Sequence, residues 1–125
     1  MISTFKCLLI EDNHTDACLI MDAAKEIGSD IEFQLFPNGE SAIEYLQLME
    51  GNGISQRPDL IILDWILPGI GGKEVLNAIR GNGITKSLPV VIFSVSDDPG
   101  DIRDAYSEHA SSYVVKPWTL RNLPL

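Results

Sequence analysis

The chain is short of basic residues. Nine Lys and Arg stand against eighteen Asp and Glu in 125 residues, a formal net charge of −9. A nucleic-acid binder needs a basic patch to displace counterions, so gripping a phosphate backbone is excluded. Cysteine is scarce as well. Cys7 and Cys18 have no second Cys or His pair at ligand spacing, so they make neither a disulfide framework nor a zinc site. Both read as small buried hydrophobes, one in an apolar run and the other in a helical pattern. No apolar run approaches the ~20 residues a membrane helix needs. Met1-Ile2-Ser3-Thr4-Phe5-Lys6 carries no apolar leader with a small-residue cleavage site. The expectation is a cytoplasmic protein with no membrane partner.

Several phosphate and hydrolase signatures are missing too. Gly69-Ile70-Gly71-Gly72-Lys73-Glu74 lacks the length and the Ser/Thr of a P-loop, and no G-x-G-x-x-G follows the first strand. A flavodoxin-type phosphate loop would need hydroxyls and free N–H groups where Glu11-Asp12 stands, and that acidic pair would repel the anion. Neither G-x-S-x-G nor H-E-x-x-H occurs. His14 and His109 fall in a loop and at a helix end, and neither is read as catalytic.

What is present reads as one globular domain over residues 1–125, with 45% hydrophobic and 22% charged residues. Its organising stretch is Leu60-Ile61-Ile62-Leu63-Asp64-Trp65, between Arg57-Pro58-Asp59 and the turn-forming Leu67-Pro68-Gly69. Four branched aliphatics bounded by turn signals predict a strand buried on both faces, the pattern of a helix-covered parallel sheet. Phe5–Ile10 is a first strand, ending in Glu11-Asp12-Asn13. Apolar residues at helical spacing predict a helix over Thr15–Ile27 with Gly28 as its stop. Ile31–Leu35 alternates strictly, as an edge strand does. A second helix runs through Ala42, Ile43, Leu46 and Met49 to Gly51-Asn52-Gly53. A glycine-rich turn over Gly69–Gly72 leads into a third helix through Val75, Leu76 and Ile79, closed by Gly81. Val90–Phe93 is a second doubly buried strand, ending at Ser94. Asp98-Pro99 starts a fourth helix carrying Ile102, Ala105 and Tyr106. Tyr113–Val115 is a short last strand before Lys116-Pro117. Strands alternating with helices predict a doubly wound α/β fold, five parallel strands in the order 2-1-3-4-5.

In that order the strand tips converge. Glu11, Asp12, Asp64, Ser94 and Lys116 all follow carboxyl ends of strands, the edge where open parallel sheets bind ligands. Two carboxylates ~4 Å apart repel by roughly 4 kcal/mol at an effective dielectric of 20. Three therefore need a cation or raised pKa values. An oxygen-only donor set without His or Cys suits Mg²⁺, which keeps several waters and often shares its shell with phosphate. Ser94 and Lys116 offer a hydroxyl donor and a point charge to an oxyanion on Asp64. A carboxylate nucleophile with those helpers matches aspartyl phosphate chemistry.

Taken together, Glu11-Asp12, Asp64 with Pro68 and Gly72 behind it, Ser94, Tyr113 and Lys116-Pro117 resemble the receiver domain of bacterial two-component response regulators, from Phe5 to Pro117. Asp16 and the Leu67-Pro68…Gly72-Lys73-Glu74-Val75-Leu76 run look most like small single-domain regulators, including partners of phytochrome-type kinases. The resemblance implies that Asp64 accepts a phosphoryl group from a phosphohistidine on a histidine kinase. It implies Mg²⁺ held by Glu11, Asp12, Asp64 and the backbone carbonyl of Ile66. Ser94 and Lys116 would bind the phosphoryl oxygens, and Ser94 with Tyr113 would form the switch. That switch would alter the face made by the fourth helix and fifth strand, where a downstream protein binds. Pro68 and Gly72 would be structural, and the Lys116-Pro117 bond would be cis. The added charge would draw Ser94 and Lys116 inward.

Departures from the family pattern carry their own expectations. Ile66, where polar groups often stand, cannot orient water, so slow self-dephosphorylation is expected. Val95, in place of a small residue, narrows access for the donor. After Pro117 only Trp118–Leu125 remains where family members have a fifth helix. The uncovered face beside the first helix is then expected to take a second copy or a partner helix, the alternative being that the sequence is a truncation of a longer chain. Two other readings compete with the phosphoacceptor. A degenerate receiver would act as a phosphorylation-independent interaction module. A small Mg²⁺-dependent aspartate-nucleophile phosphohydrolase would want a second acid where Ile66 sits.

Overall fold

The computed structural model describes residues 4–27, 30–52 and 57–117. Nine elements alternate: β1 (Phe5–Ile10), α1 (His14–Glu26), β2 (Ile31–Phe36), α2 (Gly39–Asn52), β3 (Leu60–Leu63), α3 (Gly72–Gly81), β4 (Val90–Ser94), α4 (Pro99–Ser107) and β5 (Ser112–Val115). The strands form one parallel sheet in the order β2-β1-β3-β4-β5. This is the expected receiver-type, flavodoxin-like topology.

Local chemistry sets the helix starts. Asn13 caps α1, its Oδ1 accepting from the Asp16 N–H at 2.9 Å. Asn38 does the same for α2 through Ser41 N at 2.8 Å, and Asp98 for α4, with Pro99 at the first helical position. His14 is thus the first residue of α1 and not a loop residue. Gly28 and Gly53, expected as helix stops, lie outside the described residues.

The main core lies between the sheet and α2, α3 and α4. Leu8, Ile10, Ile61, Leu63, Val90 and Ile92 pack there against Leu46, Val75, Leu76, Ile79 and Ala105. The opposite face corrects the expectation that β3 and β4 are doubly buried. There Cys7, Leu9 and Ala17 are buried, but Leu60, Ile62, Val91 and Phe93 are only half-buried. An apolar run cannot tell a covered face from a partly covered one, because period-two packing fixes only which side each residue points to. Ala17 is the one residue of α1 that is buried, while Leu19 is 40% and Ile27, at the C-cap, 78% exposed. β2 keeps the alternation of an edge strand. The segment Trp118–Leu125, expected to stand in place of a fifth helix, lies outside the described residues.

Cys7 behaves as expected: burial pushes its thiol up to about 12. Cys18 does not. It is half-buried, with its Sγ 3.6 Å from His14 Nε2 one turn earlier. Gly72 is required by a close approach. A Cβ there would meet the Trp65 Cα at 2.6 Å and the Asp64 carbonyl oxygen at 2.8 Å. The first turn of α3 therefore lies directly on the backbone that carries Asp64.

No cis peptide bond occurs among the described residues, so the Lys116–Pro117 bond is trans, against expectation. A trans X–Pro bond is intrinsically preferred, and here it is compatible with Lys116 N donating to Ser94 O at 2.8 Å.

Candidate phosphoacceptor site

The tips of β1, β3 and β5 deliver their residues to one hollow at the carboxyl edge. The register brings Ile10 of β1 beside Leu63 of β3, so the segments that follow, Glu11-Asp12 and Asp64, emerge together. Asp64 N donates to Ile10 O at 3.0 Å, which holds the two exits in register. Ligand oxygens of Glu11, Asp12 and Asp64 all lie within 4.8 Å of one another. Glu11 and Asp64 are buried, and Asp12 is exposed. The acidic cluster expected from the sequence is therefore assembled.

Lys116 reaches the same hollow from the end of β5. Its Nζ lies 2.7 Å from Glu11 Oε1 and 3.0 Å from Asp64 Oδ2, and the residue is 2% exposed. The third contact was not anticipated: Asp16 Oδ2, in the first turn of α1, also lies 2.7 Å away. Asp16 stood out only as part of a family resemblance. Its place five residues after Glu11 gives no hint that it turns toward a lysine one hundred residues on.

The electrostatics follow from burial. Desolvation alone would favour a neutral amine at Lys116, but its bonds to Asp16 and Glu11 and the Asp64 charge outweigh it, and the ammonium is held well above its usual range. Glu11 is pushed up to about 7, first by burial and then by the neighbouring Asp64, against the pull of Lys116. A carboxylate held that high would gain from a second cation. The all-oxygen donor set and the raised Glu11 thus both fit a divalent ion such as Mg²⁺.

The remaining expected residues take up supporting positions. Ile66 N donates to Asp64 Oδ1 at 3.0 Å, which orients the carboxylate, and the Ile66 side chain is half-exposed. Ser94 is fully buried at the tip of β4, its hydroxyl accepting from Ser96 N at 3.4 Å. Tyr113 is half-buried on β5. Its hydroxyl donates to Ser96 O at 2.8 Å, and its N–H donates to the Tyr106 hydroxyl at 3.0 Å. Tyr113 thus ties β5 to the β4–α4 loop and to α4. Burial raises its phenol pKa, partly offset by the Ser96 bond. Val95 is exposed beside Ser94. Pro68 is exposed in the loop after β3, ahead of the positive-φ Gly69.

The response regulator receiver domain profile matches residues 7–124. The chain belongs to the response regulator receiver family. Among its relatives, the probable methanogenesis regulatory protein FilR2 of Methanothrix harundinacea is 39% identical over 119 residues, covering 95% of this chain and 76% of the relative. The response regulator Rcp1 of Synechocystis is 34% identical over 116 residues, covering 93% of this chain and 79% of Rcp1. The phosphorylated cyanobacterial phytochrome response regulator RcpA superposes with a TM-score of 0.83 at 35% identity, covering 97% of this chain and 86% of RcpA. The Mn²⁺-bound form of Rcp1 gives 0.81 at 34%, covering 95% and 86%. The receiver is therefore similar to single-domain phytochrome response regulators, as its residues suggested.

Because Lys116 neutralises buried carboxylates, its loss leaves them unpaired. Lys116→Met is expected to cost the receiver about 3–5 kcal/mol in urea unfolding without metal, the usual penalty for breaking a buried pair. Mg²⁺ should restore part of it by binding the folded state. A cost under about 1 kcal/mol, or one indifferent to Mg²⁺, contradicts the neutralising role.

Proposed function

We propose that this receiver takes a phosphoryl group from a phosphohistidine of a histidine kinase onto Asp64 and uses it to switch a protein-interaction surface. One observation carries the reading: a buried ammonium shares the same hollow with the accepting carboxylate and two further acids. In the transfer, an Asp64 oxygen forms the new bond to phosphorus while the phosphorus–nitrogen bond to the donor imidazole breaks. Lys116 donates to a phosphoryl oxygen and stays protonated throughout. Ile66 N keeps the carboxylate in the orientation for attack. Mg²⁺, held by Glu11, Asp12, Asp64 and the Ile66 carbonyl, would supply charge neutralisation for the transferring group.

Ser94 and Tyr113 are the switch in this reading. A phosphoryl oxygen that draws the Ser94 hydroxyl changes the loop to which Tyr113 is bonded through Ser96 O. The readout is the face of α4 and β5, where Tyr106 and Val114 are exposed. Ile66, apolar and half-exposed, gives attacking water no partner, so the phosphoryl group is long-lived. The exposed flank of α1 with Leu19 and Ile27 serves a second copy or a partner helix. A sedimentation coefficient that rises with concentration across tens of micromolar is expected for self-association, and a constant monomer value contradicts it.

Trp65 adjoins Asp64 and tests the central step. Its fluorescence is expected to change with Mg²⁺ and again with acetyl phosphate or beryllofluoride, and Asp64→Asn should abolish the second change while leaving the fold intact. After the donor is removed the signal should decay over minutes to hours, not seconds. Steady phosphate release from a phosphomonoester would favour a hydrolase, and the absence of any second change would favour a phosphorylation-independent module.

A further inference from the structure

Lys116 has more carboxylates than phosphoryl transfer requires. An ammonium carries three N–H donors. Two are given to Asp16 at 2.7 Å and Asp64 at 3.0 Å, and a third carboxylate oxygen, of Glu11, lies in ion-pair contact at 2.7 Å. Glu11 and Asp64 belong with Asp12 to the cluster that fits a divalent ion, and Asp16 does not. Asp16 is also the most accessible of the three. Its side chain is 13% exposed, against 1% for Glu11 and 5% for Asp64.

Building on the phosphoacceptor reading, we propose that Asp16 is a competing ligand for Lys116, a built-in brake that the phosphoryl group must displace. A buried ammonium with three carboxylate oxygens within 3.0 Å has no open side for an incoming oxygen until one carboxylate lets go. Release is cheapest at Asp16. Water already reaches it, it lies outside the acidic cluster that fits a metal, and its place in the first turn of α1 favours negative charge. A phosphoryl group also brings about two negative charges to the hollow, which repel Asp16 as they attract Lys116. The exchange lowers the receiver's affinity for its anionic donor. It also carries the phosphorylation state to the first turn of α1, where the Asp16 N–H is fixed by Asn13. Asp16 is thus a positioning residue, acting through Lys116 and not on the phosphorus.

The test uses the full chain with Mg²⁺, titrated with beryllofluoride and with acetyl phosphate. Wild type is compared with Asp16→Asn, Asp16→Ala and, as a control for overall charge on the same helix, Asp22→Asn. The half-saturating beryllofluoride concentration is expected to fall about 3- to 10-fold in both Asp16 variants, as when a partly hydrated charged hydrogen bond no longer competes. The maximal Trp65 response should be kept, and Asp22→Asn should match wild type. Backbone amide resonances of Thr15 to Ala17 should move on beryllofluoride binding in wild type and stay in place in Asp16→Ala, a readout that general destabilisation does not mimic. Asp16 variants that bind equally or more weakly, or an Asp22→Asn variant that binds just as tightly as they do, overturn the brake while the phosphoacceptor reading stands. If none of the proteins, wild type included, responds to either reagent, the phosphoacceptor reading has failed and the brake falls with it.

Discussion

An ammonium group with almost no access to water must be surrounded by negative charge, and in this fold that requirement organises the whole carboxyl edge. Lys116 meets it with three carboxylates drawn from three separate places, the end of β1, the first turn of α1 and the end of β3. The carboxylates need the lysine equally, because Glu11 and Asp64 are as buried as it is. Neither side is stable there alone. The result is a hollow in which four carboxylates, Asp12 included, face one ammonium, short of positive charge for the acids it contains. That shortfall is what makes it receptive to a divalent ion.

The sheet supplies the geometry. Parallel strands in the order β2-β1-β3-β4-β5 put β1 and β3 side by side, and the crossover connections carry every strand's carboxyl end to the same edge. The core beneath is apolar and tightly built from β1, β3, β4 and the helices α2 and α3. It lies beneath the strand tips, and the side chains of Glu11, Asp64 and Lys116, each directly after its strand, meet above it. Gly72, laid against the Asp64 backbone, fixes the exit of β3 from the other side. At β4–α4, Tyr113 and Tyr106 join β5, α4 and the Ser96 loop by single hydrogen bonds. The charged hollow and the α4–β5 face are thus joined along one edge of the sheet.

Most of this was legible in the residues. Continuous apolar runs marked β3 and β4 as central, strict alternation marked β2 as an edge, and the order of strands followed. Glu11, Asp12, Asp64 and Lys116 could be brought together because each stands directly after a strand, where position is set by the backbone alone. Asp16 was not legible as a ligand of Lys116. It stands inside a helix pattern, and its meeting with Lys116 depends on how α1 settles against the end of β5, a tertiary fact with no periodic signature. The half-buried side of β3 and β4 was hidden for a related reason: an apolar run records what a strand can bury, not what arrives to cover it. The trans bond at Pro117 shows the limit of transferring a family feature when the intrinsic X–Pro preference points the other way.

The central claim is that Lys116 stays a charged, enclosed ammonium among these carboxylates, and the side-chain nitrogen spectrum of the lysines tests it most directly. One Nζ resonance, missing in Lys116→Met, should keep its ammonium shift and slow hydrogen exchange at a pH about one unit above the ordinary lysine value of roughly 10.4, where the exposed lysines have titrated. If the Lys116 resonance titrates and exchanges with the others, the ammonium is neither enclosed nor shared.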